Sequence, residues 1–161
     1  MKTKTNVMFV CMGNICRSPL AHAVFEDMVQ KASLEDAFKI ESSGTIGYHV
    51  GELPDARMRE TARRHGVKMI HRARQLKKKD LDDYDMILAM DKENLSNIRK
   101  LATSEAHLQK IQLFRNFDPN ATGGAEVPDP YYGGDDGFEH VFQIVQRTCE
   151  QLLKDTASPE K

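Results

Sequence analysis

The sequence predicts an α/β fold: a single domain of three layers, in which helices cover both faces of a four-stranded parallel sheet. Two observations predict it. Segments typical of strands alternate with segments of helical periodicity, and this alternation is typical of parallel sheets. The length of 161 residues suits one domain with an adequate core. We expect residues 1–155 to form this domain and residues 156–161 to form a disordered tail.

The predicted elements alternate in order along the chain. Strands are predicted over residues 7–10, 39–43, 86–90 and 111–114. Helices are predicted over residues 18–31, 54–66, about 91–101, and 138–153. Each parallel strand is thereby followed by a helix that can cross back over the sheet.

Apolar runs and punctuating residues define the first half of this pattern. Residues 7–10 are continuously apolar, as is typical of a strand buried on both faces. Pro19 suits the first helical position of the helix that follows, because that position needs no N–H donor. Gly44 ends the second strand, and Gly66 closes the second helix.

The second half contains another apolar run, over residues 86–90, and Asp91 after it is typical of a helix N-cap. Residues 116–136 are rich in Gly, Pro, Asp and Asn, and loops of about 20 residues are usually functional or disordered. The last helix has an apolar face that we expect to be buried, formed by Phe138, Val141, Phe142, Val145, Cys149 and Leu152.

Composition excludes several classes of protein. Lys and Arg total 23 and Asp and Glu total 24, whereas proteins that coat nucleic acid are normally basic. No apolar segment approaches the roughly 18 residues of a membrane span. The apolar run near the N-terminus is also too short for a signal peptide. We therefore expect a cytoplasmic protein that binds no nucleic acid and does not span a membrane.

The number of cysteines also favours the cytoplasm, and we expect no metal and no cofactor. Cys11, Cys16 and Cys149 are too few for a disulfide framework, which favours the reducing cytosol. Cys11 and Cys16 together with His22 supply three metal ligands at best, whereas structural zinc needs four. Neither G-x-G-x-x-G nor the nucleotide-binding P-loop motif occurs, so nucleotide binding is not expected.

The loop after the first strand contains the residues that could bind an anion and act as a nucleophile. Between a strand end and a helix start, backbone N–H groups can converge on an anion, and the helix dipole adds positive potential. Arg17 offers a planar fork that matches two phosphate oxygens. Cys11 lies in the same positive field, which favours the nucleophilic thiolate. The predicted phosphate-binding residues are Met12, Gly13, Asn14, Ile15, Cys16, Arg17 and Ser18.

Two of these residues have alternative interpretations. The Ser18 hydroxyl could cap the helix or bond to the Cys11 thiolate, and the two roles are compatible. Cys11 could be an inert buried cysteine, as cysteines at strand ends often are. The neighbouring Arg17 and the Gly13-Asn14 turn favour a nucleophile instead.

Residues 10–19 resemble the phosphate loop of the low-molecular-weight protein tyrosine phosphatases. The resemblance covers about residues 5–155 in order, and the further segments that carry it are 42–45, Gly66, 71–76, 87–91 and 129–133. It implies a flavodoxin-like strand order and a hydrolase that acts on phosphotyrosine and small aryl phosphates. The expected partners are phosphotyrosine proteins, with phosphate or vanadate as inhibitors of a monomeric enzyme.

The resemblance also implies the catalytic roles. Cys11 would attack phosphorus and form a cysteinyl-phosphate, while Arg17 and the loop amides would hold the equatorial oxygens. The family places its general acid in an Asp-Pro pair on a late loop, and this chain has Asp118-Pro119 and Asp129-Pro130. We assign the acid to Asp129, because Tyr-Tyr-Gly follows it as in the family. Asp118 is then a turn residue.

Supporting roles follow from the same resemblance. Asn14 would hold a left-handed backbone conformation, and Ser43 and His71 resemble the residues that bond to its side chain. For His71 the alternative is an ordinary surface histidine. The chain departs from the family at His22, where the family commonly has a glutamate that shares a proton network with the His71 position.

Aromatic residues and a second cysteine complete the expected site. Tyr48, Tyr131 and Tyr132 would wall the site and stack against the substrate ring, although Tyr48 could be an exposed turn residue. The resemblance suggests a reversible Cys11–Cys16 disulfide that protects the nucleophile from overoxidation.

The same residues bear on three other functions. An arsenate reductase needs a relay of further cysteines, and the chain has none between Arg17 and Thr148. A phosphoarginine phosphatase carries Thr at the position of Ile15, whose apolar side chain favours an aromatic ester. A catalytically silent phosphate-binding module would not need Cys11, Arg17 and Asp129 together.

Overall fold

A parallel sheet forms the middle layer of the computed structural model, which describes residues 4–130 and 135–157. Its strands are β1 (Thr5–Cys11), β2 (Phe38–Gly44), β3 (Met86–Ala89) and β4 (Ile111–Leu113), in the order β2-β1-β3-β4. Every pairing is parallel, with Cys11 opposite Gly44 and Val10 opposite Ala89. The predicted fold class and strand order are therefore confirmed.

Six α-helices surround the sheet in the described part of the chain. They are α1 (Arg17–Lys31), α2 (Ala56–Arg64), α3 (Asp80–Asp83), α4 (Lys92–Arg99), α5 (Glu105–Lys110) and α6 (Asp135–Thr156). None of the helices in these residues is long and apolar enough to cross a membrane. Short 3-10 helices occur at Glu35–Ala37 and Phe114–Phe117.

The core lies on both faces of the sheet, because successive side chains of a strand point to opposite faces. Phe9 of β1 faces α1 and α6, where it makes edge-to-face contacts with Phe25 and Phe114 at 5.9 and 5.5 Å between ring centroids. Met8 and its alternate neighbours face the layer of α3 and α4. The expected apolar face of α6 is buried, as predicted.

The structure corrects several predicted boundaries. The first helix begins at Arg17, so Pro19 occupies its third position. Proline is tolerated there because backbone N–H groups in the first turn have no helical acceptor, so the missing N–H costs no hydrogen bond. Two short helices, α3 and α5, were not predicted, because a single helical turn buries too little apolar surface to show a period. The last helix begins at Asp135, three residues before the first apolar residue of its periodic face.

Candidate active site

The loop after β1 lies at the carboxyl edge of the sheet and is held there by the chain that leaves β2. Thr45 N donates to Cys11 O at 3.0 Å, and Ile46 N donates to Met12 O at 3.1 Å. Gly44 has to be glycine, because a Cβ at this position would lie 2.7 Å from Met12 O. This close approach fixes the height of the loop above the end of β1.

Asn14 fixes the shape of the loop. Its φ of 58° is in the left-handed region, which Asn tolerates better than most residues. Its side chain accepts a hydrogen bond from Arg74 N at 3.0 Å and donates one to Ser18 Oγ at 2.8 Å. The predicted left-handed conformation is present, and it is locked by the start of α1 on one side and by the segment after α2 on the other.

Cys11 lies at the end of β1, with only 3 % of its surface exposed. Its Sγ lies 3.0 Å from Ser18 Oγ and 3.5 Å from Ser18 N. Ser18 therefore contacts the thiol, and the position before α1 is Cys16, which makes no side-chain cap bond in the described structure. The Ser18 amide therefore points at the Cys11 sulfur, and the Ser18 hydroxyl lies within hydrogen-bond distance of both the sulfur and Ser43 O.

Arg17 is positioned by two acceptors behind it. Its Nη1 donates to Asp91 Oδ2 at 2.8 Å and to Val127 O at 3.0 Å. Burial opposes the charged form, but the Cys11 sulfur and the Asp91 carboxylate raise the pKa of Arg17 above its ordinary value. The guanidinium is thus a fixed positive charge at the loop.

Asp91 does more than the cap predicted from sequence. It caps α4, accepting from Asn94 N at 2.7 Å, and its other oxygen holds Arg17. A signal for this was available: Asp91 closely follows β3, a neighbour of β1 in a parallel sheet. The carboxyl ends of such strands share one edge, which is where ligands bind.

Cys16 has a different environment from Cys11. Burial raises the pKa of the Cys16 thiol strongly, and the Cys11 charge adds to the effect. Cys16 therefore stays protonated, which distinguishes it from a nucleophile. All three cysteines are free thiols in the structure, so a Cys11–Cys16 disulfide stays a prediction.

A pocket of about 370 Å³ opens above the loop. It is lined by Cys11, Met12, Gly13, Ile15, Cys16, Arg17, Ile46, His49 and Asp129. The loop residues and Asp129 were predicted, whereas Ile46 and His49 were not. Their positions depend on the hydrogen bonds between residues 45–46 and the phosphate loop, which no local pattern reveals.

The two Asp-Pro pairs lie in different environments. Asp129 lines the pocket with Cys11. Asp118 has no exposed side-chain surface and accepts from Arg115 Nε at 2.9 Å and Arg147 Nε at 2.9 Å. Burial opposes ionisation of Asp118, but hydrogen bonds from Arg147, Asn120 N and Arg115 lower its pKa. Asp118 is an internal ion-pair partner that joins the turn before the long loop to α6.

The expected aromatic wall is described only in part. Tyr48 is 81 % exposed and packs edge-on against His49, with ring centroids 4.9 Å apart. It is not among the described residues that line the pocket. Tyr131 and Tyr132 lie outside the described residues. Tyr48 lies in an exposed turn, so its contact with a substrate ring stays a prediction.

The expected contacts of Ser43 and His71 with Asn14 are wrong. Ser43 Oγ donates to Met8 Sδ at 3.2 Å, and His71 Nε2 lies 3.0 Å from Glu26 Oε1. The physical reason is competition: Arg74 N already occupies the Asn14 oxygen, and a carboxylate is the stronger partner for an imidazole.

The departure at His22 is compensated one turn later in α1. Glu26 supplies a carboxylate beside both imidazoles, with Oε2 at 3.7 Å from His22 Nε2. The rings of His22 and His71 stack with centroids 3.7 Å apart. The acid of the expected proton network is therefore present, but on the next turn of the helix.

Comparisons with known proteins agree with this geometry. The family model described as low molecular weight phosphotyrosine protein phosphatase matches residues 6–160. A Saccharomyces cerevisiae protein of that name is 43 % identical over 155 residues, covering 95 % of this chain and 96 % of its own. The Homo sapiens protein of that name is 41 % identical over 150 residues, covering 92 % and 94 %. Among solved structures, YfkJ from Bacillus subtilis superposes with a TM-score of 0.90 at 38 % identity, covering 99 % of each chain.

Proposed function

Because the chain belongs to the low molecular weight phosphotyrosine protein phosphatases, we propose that Cys11, Arg17 and Asp129 carry out its hydrolysis of phosphotyrosine. The protein is a phosphoric monoester hydrolase that works through a cysteinyl-phosphate. One observation carries the assignment of residues: these three side chains line one pocket, above a loop at the carboxyl edge of the sheet. A phosphate bound in this pocket would therefore have the nucleophile, the anion-binding group and the acid among the residues around it.

In the first step the Cys11 thiolate attacks phosphorus in line with the leaving oxygen. A sulfur–phosphorus bond forms as the bond from phosphorus to the tyrosine oxygen breaks. Arg17 and the loop amides hold the three equatorial oxygens, where transition-state charge is spread. Asp91 and Val127 O hold the guanidinium in place, so it does not have to reorganise during the reaction.

Asp129 serves both steps as the proton carrier. Its carboxylic acid gives a proton to the departing tyrosine oxygen, and the carboxylate that remains then takes a proton from water. That water attacks the cysteinyl-phosphate, releases inorganic phosphate and restores the Cys11 thiolate. The position of Asp129 in the pocket wall supports this role. Asp118 is instead engaged by Arg115 and Arg147, which argues against it as the acid.

Substrate preference follows from the apolar part of the pocket. Met12 and Ile46 are 48 % and 43 % exposed, and both line the pocket mouth with Ile15. These side chains suit the face of an aromatic ring, so phosphotyrosine proteins and small aryl phosphates are the substrates. Inorganic phosphate and vanadate occupy the same anion site as inhibitors. Tyr48, Tyr131 and Tyr132 stay proposed contacts for the substrate ring.

The remaining proposals concern the compartment of the enzyme, its response to oxidation and its oligomeric state. Cys11 works as a reduced thiolate, which fits the reducing cytosol. Cys16 lies in the same loop and is proposed as its reversible disulfide partner under oxidation. We also propose a monomer that needs no metal, because Arg17 and the loop amides supply positive charge at the anion site.

Selective alkylation tests whether Cys11 is the nucleophile in the anion site. Iodoacetate should modify Cys11 first, because thiolates react and thiols do not. Phosphate or vanadate should slow that modification. Cys149 is fully buried, and burial raises its pKa, so it is the internal control that stays unmodified. Equal rates for Cys11 with and without phosphate would place it outside the anion site.

A further inference from the structure

Three side chains outside the catalytic pocket form a cluster of nitrogen and oxygen ligands. His22 and Glu26 lie one turn apart on α1, and His71 approaches them from the segment between α2 and α3. One ligand atom from each residue lies within 4.8 Å of the others. We name these three residues the imidazole cluster.

His22 contributes a buried nitrogen that lacks a partner. The side chain has no exposed surface, and its Nδ1 lies 2.9 Å from Ser42 Oγ. Its Nε2 has no hydrogen-bond partner among the described residues, and Glu26 Oε2 lies 3.7 Å away. With the proton on Nδ1, shared with Ser42, Nε2 carries a lone pair beside a carboxylate. A buried nitrogen left this way is costly, and a cation between the two groups removes the cost.

A carboxylate completes the cluster. The two oxygens of Glu26 face the two imidazoles, with Oε2 at 3.7 Å from His22 Nε2 and Oε1 at 3.0 Å from His71 Nε2. Glu41 adds further negative potential, since its Oε1 lies 4.0 Å from His22 Nδ1. The charge nearby that opposes a cation is Arg74, 3.9 Å from Glu41, and this arginine is itself paired with Asp80.

We propose that the imidazole cluster binds a divalent transition metal of the Zn²⁺ type, with His22, Glu26 and His71 as its ligands. Two imidazoles and one carboxylate are a ligand set that zinc accepts, with water in the fourth position. Glu26 and His71 are 36 % and 33 % exposed, so water and the ion can enter from their side. The ligand set shares no residue with the pocket above Cys11.

The spacing of the ligand atoms suits such an ion. Ligands about 2.0–2.2 Å from zinc in a tetrahedron lie roughly 3.3–3.5 Å from one another. Two of the separations lie close to this range, at 3.0 Å from His71 Nε2 to Glu26 Oε1 and 3.7 Å from His22 Nε2 to Glu26 Oε2. The three ligand atoms as a set lie within 4.8 Å of one another, so they have to draw together to enclose the ion.

One ring has to turn for both nitrogens to face the metal. The imidazole planes are now 19° apart in a stack, whereas a metal lies in the plane of each ring that binds it. Burial and Ser42 hold His22, so His71 is the ring that turns. It belongs to a stretch with neither helix nor strand, which allows that movement.

The movement would reach the phosphate loop through the same stretch of chain. Three residues after His71, Arg74 N donates to the Asn14 side chain. Ala73, between them, exchanges backbone hydrogen bonds with Gly51 and Glu52 of the loop that carries His49. Occupancy of the imidazole cluster is thus placed to influence the shape of the catalytic loop from outside the pocket.

Metal titration of the Cys11→Ser protein tests the proposal directly. This variant removes the reactive one of the two pocket thiols, which would otherwise compete for zinc. We expect calorimetry to show one Zn²⁺ per chain, and Co²⁺ to give the visible absorption of a four- or five-coordinate ion. On this background, His71→Ala and Glu26→Gln should each weaken binding by about tenfold or more, since each removes a ligand.

A matched control is His65→Ala, which removes another half-exposed histidine that contacts a single carboxylate, Glu139, at 2.9 Å. It should leave the affinity unchanged. His22→Gln tests the buried ligand, and circular dichroism verifies that this variant folds. If it does not fold, His71→Ala and Glu26→Gln decide whether the cluster binds the metal. Absence of binding at millimolar metal, or equal loss in His65→Ala and His71→Ala, would overturn the proposal.

Discussion

Two cysteines lie in the same loop, and their surroundings assign them different chemistry. Cys11 faces the hydroxyl and the amide of Ser18 and the charge of Arg17. Cys16 is buried, and that burial keeps its proton in place. The distinction arises from the turn at Asn14, which directs the donors of the helix start toward Cys11. Reactivity is thus set by a few hydrogen bonds within eight residues.

Replacing Asp129 tests the acid at the residue scale. A phenol of pKa about 10 is a poor leaving group without a proton, so Asp129→Ala should slow phosphotyrosine turnover by roughly 10²-fold or more. The defect in kcat should shrink for an aryl phosphate with an acidic phenol, although loss of the base in the second step keeps it from vanishing. Near-normal turnover in Asp129→Ala, with a large loss in Asp118→Ala, would reassign the acid.

Asp91 has two roles that one pair of variants separates. Asp91→Asn keeps a good helix cap but removes the charge that holds Arg17, so kcat should fall by about tenfold and stability by about 3 kcal/mol, because the buried guanidinium loses its ion partner. Asp91→Ala should lose the same activity and about 1 kcal/mol more of stability, because it also removes the cap. Urea unfolding and steady-state kinetics measure the two effects. Full activity in Asp91→Asn would show that Arg17 does not need this partner.

At the scale of elements, features that depend on neighbouring residues could be predicted from the sequence, and contacts between residues far apart in the chain could not. The four strands could be predicted because apolar runs and punctuating glycines are local signals. The phosphate loop could be placed because it immediately follows β1. The contact between Arg17 and Asp91 is only half predictable: the strand order brings both residues to one edge of the sheet, but no local signal pairs two side chains that lie 74 positions apart. The stacking of His22 on His71 could not be predicted from the sequence, because these residues are also far apart along the chain.

Asp118 shows how elements are tied together, and its contribution depends on pH. Its carboxylate joins the turn at Phe114–Phe117 to α6 through Arg115 and Arg147. Since its pKa is lowered in the folded protein, the ion pair stabilises the fold above the ordinary aspartate value of about 4. That contribution is lost as pH falls through the lowered pKa.

Asp118→Asn should therefore destabilise the protein by about 3 kcal/mol at pH 7, because it leaves two buried or half-buried arginines without their partner. The difference from the unmodified protein should diminish as pH falls from about 4 toward the lowered pKa, because the unfolded chain binds the Asp118 proton first in that range. Urea unfolding across this range provides the measurement. A difference that stays constant with pH would mean that the charge of Asp118 contributes nothing.

At the scale of the whole molecule, the parallel sheet gathers the site from distant parts of the chain. The ends of β1, β2 and β3 meet at one edge, which brings Cys11, Gly44 and Asp91 near one another. The long loop adds Asp129, and the chain after β2 adds His49. The imidazole cluster lies outside this pocket and is connected to it through residues 71–74.

In the proposed mechanism a phosphoryl group passes through Cys11. Rapid acid quenching during turnover of an aryl phosphate, followed by mass spectrometry of the digested protein, tests it most directly. We expect one phosphoryl group on the peptide that contains Cys11, more of it in Asp129→Ala because the second step is slowed, and none in Cys11→Ser. Turnover without any phosphorylated cysteine, or a phosphoryl group on Cys16 instead, would contradict the mechanism.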